Sequence, residues 1–308
     1  MSIASEITAL NTNLTAAKDA VTAKGGTVGD TGLAGLATEI ASIPSGGSLT
    51  SYGTIKYTEN GVDKTVEMVT EEDYLELTFG GVNTMIEINN ISINKDWIKE
   101  VTVGDGVEYL PDKFCYTCNN MTVVNLPSSV HYIGTNVFNS CLLLNSPLNL
   151  QNVRFIGSNF LYNCTAFNQP ILLPKIDEIG DYFMFGCSSF NSVITLNEGL
   201  LMIGSRFMYG CSSFAQPFTV PSELIDDSSI ITYNPGERFM HNCNNFTGPL
   251  VCNTSTRIPI DIYTLGTTSS SAAVYTTGIT LTGPYAAQWK AALPDRTSSP
   301  YRKLIIGS

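Results

Sequence analysis

IGTNVFNSC at Ile133–Cys141, IGSNFLYNC at Ile156–Cys164, IGDYFMFGC at Ile179–Cys187 and IGSRFMYGC at Ile203–Cys211 are four readings of one phrase, each closed by a cysteine. Cys118, Cys141, Cys164, Cys187 and Cys211 are separated by 23, 23, 23 and 24 residues, and Cys243 follows after 32. A period of this length marks a solenoid, in which a unit buries its apolar face only by stacking on its neighbours. The repeat runs from about Leu110 to Cys252 and decides the architecture of half the chain.

Aligned on their cysteines, the units show columns. Four residues before each cysteine stand Phe114, Val137, Phe160, Phe183, Phe207 and Phe239; three after it stand Met121, Leu144, Phe167, Phe190, Phe214 and Phe246. Both columns read as core. A short strand follows in each unit, at Val124–Leu126, Leu148–Leu150, Ile171–Leu173, Ile194–Leu196, Phe218–Val220 and Leu250–Cys252, with its outer residues in and its middle residue out. The glycine after each isoleucine reads as a residue that adopts backbone angles closed to other side chains at a sharp turn. Two columns point outward. The strand column is Asn125, Asn149, Leu172, Thr195, Thr219 and Val251, small and neutral. The other, two before each cysteine, is Tyr116, Asn139, Tyr162, Phe185, Tyr209 and His241. Its aromatic rings either stack against a partner or sugar, or pack on one another along the solenoid.

Eight cysteines raise a disulfide or metal reading. Each rung places one cysteine in one column, Cys115 and Cys118 make the only CxxC spacing, and no histidine accompanies them. Buried free thiols filling a tight column are therefore expected. The sequence presents no nucleophile–base pair, zinc spacing, phosphate loop or carboxylate dyad. Glu71-Glu72-Asp73 and Asp226-Asp227 read as solvated turns. No catalytic, cofactor-binding or metal-binding residue is assigned, and the chain reads as non-enzymatic.

The spacing and the IGxxxFxxC consensus resemble the BspA-like leucine-rich repeats. Phe167-Asn168-Gln169-Pro170 and Phe214-Ala215-Gln216-Pro217 also resemble surface-protein repeats with an FNQP element. The resemblance implies a short parallel β-solenoid used for protein or glycan contact, without catalysis. The last unit departs from it: Asn234-Pro235-Gly236 replaces the Ile-Gly pair, and an insertion around Ser222–Thr232 lengthens the loop.

Ahead of the solenoid, Ile3, Ile7, Leu10, Leu14, Ala17 and Val21 form a heptad seam on a helix. One narrow apolar stripe wants a partner, either a second copy of the chain or the segment carrying Leu33, Leu36, Ile40 and Ile43. The wording from Ile7 to Pro44, notably AKGGTVGDTGLAGLATEIASIP, resembles a segment common in phage tail and fibre proteins. Residues 1–44 are thus expected to be a helical attachment or oligomerisation module.

Residues 45–100 read as a small β module capping the solenoid. Ile55 and Tyr57 lead to Asn60-Gly61, and Val66 and Met68 lead away, a hairpin signature. Tyr74–Phe79 and Met85–Ile88 read as further strands. The solenoid occupies 101–253. Residues 254–308 form a C-terminal cap or docking domain, with a strand at Val274–Leu281, a helix at Pro284–Leu293 carrying Trp289, and a last strand at the end.

The net charge is −11 and the pI is near 4.6, which argues against nucleic-acid partners and anionic membranes. No stretch approaches the roughly 18–20 apolar residues of a membrane span, and MSIASEITAL lacks the basic n-region of a secretory signal. The expected fold class is mixed and β-rich: a helical module, a small β domain, a leucine-rich solenoid and a cap. The expected role is a phage virion fibre or receptor-binding component, assembled in the host bacterial cytoplasm. Its expected partners are other virion proteins, itself, and a host-surface glycan or protein, with no cofactor. The alternatives are architectural decoration of the particle, or a bacterial BspA-like surface adhesin.

Overall fold

The computed structural model describes residues 51–79, 81, 84–222, 240–253, 278–292 and 304–307. The heptad seam of residues 3–21 lies outside the described residues, as do Phe239 and most of the insertion around Ser222–Thr232. The unit Ser51–Ser308 holds everything described below.

Asn60 and Gly61 both take positive φ, 52° and 79°, a turn whose twist matches its flanking strands. Accordingly β1 (Gly53–Glu59) pairs antiparallel with β2 (Val62–Met68). Tyr74–Phe79 is helical rather than extended: α1 (Glu71–Leu75) runs into a 3-10 turn at Glu76–Thr78. The cause is local. The Thr70 hydroxyl accepts from the Asp73 N–H at 3.1 Å, and the Asp73 carboxylate accepts from the Thr70 N–H at 3.0 Å. This reciprocal cap, with three acids in the first turn, starts a helix where the apolar pattern alone suggested a strand. Glu71-Glu72-Asp73 is thus a helix start and not a solvated turn. The expected strand at Met85–Ile88 is β3, paired antiparallel with β4 (Ile91–Asn94).

The hairpin and the solenoid share a sheet. β5 (Ile98–Val103) pairs antiparallel with β1 and parallel with the first strand of the solenoid proper, Val123–Asn125. Each rung then carries up to two strands, numbered along the chain. One series has two residues per strand: β6 (Tyr109–Leu110), β8 (Tyr132–Ile133), β9 (Phe155–Ile156), β11 (Glu178–Ile179) and β13 (Met202–Ile203). These make one five-stranded parallel sheet. The other series is β7 (Val123–Asn125), β10 (Ile171–Leu173), β12 (Ile194–Leu196), β14 (Phe218–Val220) and β15 (Leu250–Cys252). The C-terminal part continues this second series: β16 (Ile279–Thr282) pairs parallel with β15, and β17 (Leu304–Ile306) pairs parallel with β16. Between them α2 (Ala286–Ala292) buries Trp289 completely. The stack therefore ends in strands of its own kind, with one helix beside them.

Leu148–Leu150 alternates buried, exposed, buried as expected, yet forms no strand. The Ser146 hydroxyl accepts from the Val124 N–H at 2.9 Å and so occupies the ladder position. Both core columns are buried throughout their described members, with Phe114, Phe160, Phe183, Phe207, Phe167, Phe190, Phe214 and Phe246 all at 0% exposure. Each such ring contributes on the order of 2–3 kcal/mol by leaving water.

The glycine column has a different cause from the expected one. Gly134, Gly157, Gly180 and Gly204 lie outside the left-handed region. What they provide is room. A Cβ on Gly157 would sit 2.7 Å from the carbonyl carbon of Gly134, and one on Gly204 would sit 2.5 Å from the N of Asp181. Neighbouring rungs touch backbone to backbone along this line, and no side chain fits between them. Gly157→Ala is expected to destabilise the chain by about 2–3 kcal/mol. Gly199→Ala meets only the flexible Asn197 side chain and is expected to change stability by less than about 0.5 kcal/mol. Urea unfolding of the two variants measures the contrast.

Candidate recognition surfaces

The turn before each cysteine is built from strained backbone. The residue immediately ahead of each cysteine, Thr117, Ser140, Asn163, Gly186, Gly210 and Asn242, has positive φ in all six rungs. So does the residue five before it in the described rungs: Lys113, Asn136, Asn159, Tyr182 and Arg206. For non-glycine residues this conformation costs roughly 1–2 kcal/mol each. The gain is that the N–H groups point along the stack. Ser140, Asn163 and Gly186 donate to the carbonyls of Tyr162, Phe185 and Tyr209, each at 2.7 Å, and Gly210 donates to His241 at 2.7 Å.

Those accepting carbonyls belong to the expected outward column, so the ladder holds its side chains in register. The Tyr162 and Phe185 rings stack at 4.7 Å with 3° between their planes, Phe185 and Tyr209 at 4.7 Å and 10°, and Tyr209 and His241 at 4.8 Å and 21°. All four are half-buried. The rings therefore spend their faces on one another, and what they show outward is edges and hydroxyls. Tyr182 packs beside them, 6.1 Å from Tyr162 and 5.7 Å from Phe185. The Arg206 guanidinium lies over the Tyr182 ring at 4.9 Å. Tyr116 is not part of this stack. Asn139 interrupts the column, turned inward to 8% exposure and donating to the Asn136 side chain at 2.9 Å.

Every cysteine is free and buried, and the thiols have a polar task as well as a packing one. The Cys141, Cys164, Cys187, Cys211 and Cys243 thiols donate to the carbonyls of Cys115, Phe138, Leu161, Met184 and Met208 at 3.0–3.2 Å. Each acceptor lies three residues before the preceding cysteine. Each of these carbonyls also accepts from the N–H of its own rung's cysteine at 3.1–3.3 Å. The thiol thus adds a second, weak bond, and an alanine in the column would lose that bond and leave a small cavity. Burial pushes the thiols of Cys115, Cys141, Cys164 and Cys211 well up, and that of Cys252 to about 12. These five thiols are protonated at neutral pH, whereas the hydrogen bond from the Cys115 thiol draws that of Cys118 down.

Three features escaped the sequence reading. A second outward column runs along the five-stranded sheet, in the register Tyr109, Tyr132, Phe155, Glu178 and Met202. Its signal was available: each residue precedes the inward isoleucine or leucine of a two-residue strand. On the opposite side of the cysteine, the FNQP phrase supplies an asparagine ladder. The Asn145, Asn168 and Asn191 side-chain carbonyls accept from the N–H groups of Asn168, Asn191 and Ala215 at 2.9, 2.7 and 2.9 Å. Lys95 is the third. It is fully buried, and its ammonium donates to the carbonyls of Leu77 and Tyr116 at 3.2 Å and to that of Phe79. There the strained turns begin and no full rung precedes them. No local pattern around Lys95 announces this role. The expected strand column is exposed at Asn125, Asn149, Leu172, Thr195 and Thr219, and half-buried at Val251.

Among the described residues no group of three or more histidine, cysteine, aspartate or glutamate side chains is placed to hold a metal ion, and no helix is long and apolar enough to cross a membrane. Residues 81–167 and 108–229 match the BspA type leucine rich repeat region, in six copies. The chain thus carries BspA-type leucine-rich repeats on a β-solenoid with a period of about 23 residues. A leucine-rich repeat protein from Bacteroides ovatus, known from its crystal structure, is similar at 14% identity and a TM-score of 0.40, over 76% of this chain and 55% of that one. This chain therefore spans little more than half the length of that protein. No curated protein matches the sequence.

Thiol chemistry checks the column. A thiol held protonated in the fold contributes stability that is complete below its unfolded value, about 8.5, and is lost as pH rises through the folded value. Native protein at pH 8 is expected to resist a thiol-specific reagent until urea unfolds it, when all eight cysteines react. The urea midpoint is expected to fall as pH is raised above about 8.5. Fast labelling of native Cys164 would contradict the arrangement.

Proposed function

We propose that this chain is a non-enzymatic phage virion protein, a fibre or receptor-binding component that uses its leucine-rich solenoid for host-surface adsorption. The observation that carries the recognition part is the stack of half-exposed rings, Tyr162, Phe185, Tyr209 and His241, fixed by a backbone ladder. A rigid display of aromatic edges and hydroxyls binds at little entropic cost, because the side chains are already ordered. The virion part is supported by the wording of residues 7–44, and the seam of residues 3–21 supports self-association. Other virion proteins and a host glycan or protein complete the set of partners, and the virion, assembled in the host bacterial cytoplasm, is the place of action.

The repeat match favours one competing reading, a BspA-type surface adhesin on a bacterial cell. Architectural decoration of a particle is the other. Mass spectrometry and antibody-labelled imaging of purified particles are expected to find the chain on virions; its absence would discard the virion reading. Replacing Tyr162, Phe185 and Tyr209 by alanine together is expected to reduce host-cell binding roughly a hundredfold, the scale of losing several interface anchors. Undiminished binding would move recognition to another face.

A further inference from the structure

The outward face of the five-stranded sheet has the properties of a docking surface that the stacked rings lack. Its column of Tyr109, Tyr132, Phe155, Glu178 and Met202 crosses five rungs, a length of roughly 19 Å at ordinary strand spacing. Tyr109 is 48% exposed and Met202 45% exposed, and Leu201 beside it is 40% exposed. Among the described residues no ring contact joins Tyr109, Tyr132 and Phe155, so their faces are not spent on one another as those of Tyr162 and Phe185 are.

Charge selects the occupant. Glu108, Asp177 and Glu178 lie on or beside this column against the single guanidinium of Arg154. Arg154 is engaged, donating from Nε to the Asp177 carboxylate at 2.7 Å. Glu178 sits half-buried in the sheet between Phe155 and Met202, and its carboxylate has no hydrogen-bond or ion-pair partner among the described residues. Burial, and then the neighbouring Asp177, push its pKa up, the mark of a carboxylate that gains from a cationic donor. The same charge repels a second copy of this face, a nucleic acid and an anionic lipid surface.

We propose that this face docks a basic, apolar segment of a partner protein, with apolar side chains against Tyr109, Tyr132, Phe155 and Met202 and a lysine or arginine on Glu178. It rests on the reading above only in taking the solenoid for a recognition scaffold. The test titrates a fluorescent synthetic peptide of lysine and tryptophan into the purified full chain, with a glutamate–tryptophan peptide and maltoheptaose as the other probes. The lysine peptide is expected to bind saturably and more weakly at high salt. Glu178→Lys and Phe155→Ser are each expected to weaken it roughly tenfold, while Tyr162→Ala leaves it unchanged. Glu178→Lys decides alone if Phe155→Ser does not fold. Equal binding to all variants, binding lost only with Tyr162→Ala, or preference for the glutamate peptide or maltoheptaose would overturn the proposal. The purified chain is tested without particles, so failure here leaves the virion reading standing, and absence from virions leaves this face untouched.

Discussion

Just before each cysteine the chain holds residues in left-handed backbone angles, and their N–H groups reach along the stack to the next rung at 2.7–2.8 Å. An isolated rung could not sustain this. Each non-glycine residue so placed costs roughly 1–2 kcal/mol, and an unanswered peptide group in the same buried turn costs about 1–3 kcal/mol more. The stack is the condition under which the strained turn becomes favourable, because each rung supplies the acceptors its neighbour needs. That mutual dependence explains why the period barely drifts between Cys118 and Cys211. One inserted residue in a turn would break two sets of bonds, above and below.

The cysteine and glycine columns follow from the same constraint. Rungs in hydrogen-bonding contact leave no space beside Gly157 or Gly204 for a Cβ, so the position is fixed by approach and not by backbone angle. One carbonyl per rung, already bonded to the N–H of its own cysteine, takes a second bond from the thiol of the next rung. Valine would fill the space without donating, and serine would bring a stronger polar group into the core. Cysteine is apolar enough to be buried and still carries a weak donor. In the ladder of turn N–H groups, Asn139, Tyr162 and Phe185 each accept from the rung before. Tyr116 has no such rung before it, and its carbonyl accepts from Lys95, which also reaches those of Leu77 and Phe79.

What was legible in the sequence is what repeats. The phenylalanine columns, most of the three-residue strands and the free thiols could be read because six units repeat the same solution in register. The non-repeating parts were harder. The Thr70–Asp73 cap turned an apparent strand into α1, and a four-residue polar signal is easily outvoted by a longer apolar one. The left-handed residues carried a partial signal, since asparagine and glycine tolerate positive φ; Thr117, Ser140, Tyr182 and Arg206 do not advertise it. Lys95 was invisible, because its acceptors are carbonyls from distant segments and carbonyls leave no trace in residue identity.

The column two before each cysteine was legible as a column but not as a stack. Aromatic identity at a regular spacing says that rings lie near one another; whether their faces are free depends on the rung-to-rung distance and the tilt of the side chain. At 4.7 Å and 3° the faces of Tyr162 and Phe185 are occupied, so a sugar ring cannot lie flat between them. The two outward columns therefore differ in chemistry although both are rich in aromatic residues. One offers edges and hydroxyls on a rigid spine. The other, on the five-stranded sheet, offers apolar side chains and an unanswered carboxylate at Glu178. Residue type alone would have ranked the first column higher; the geometry of stacking reverses that order wherever burial of apolar area is what a partner needs.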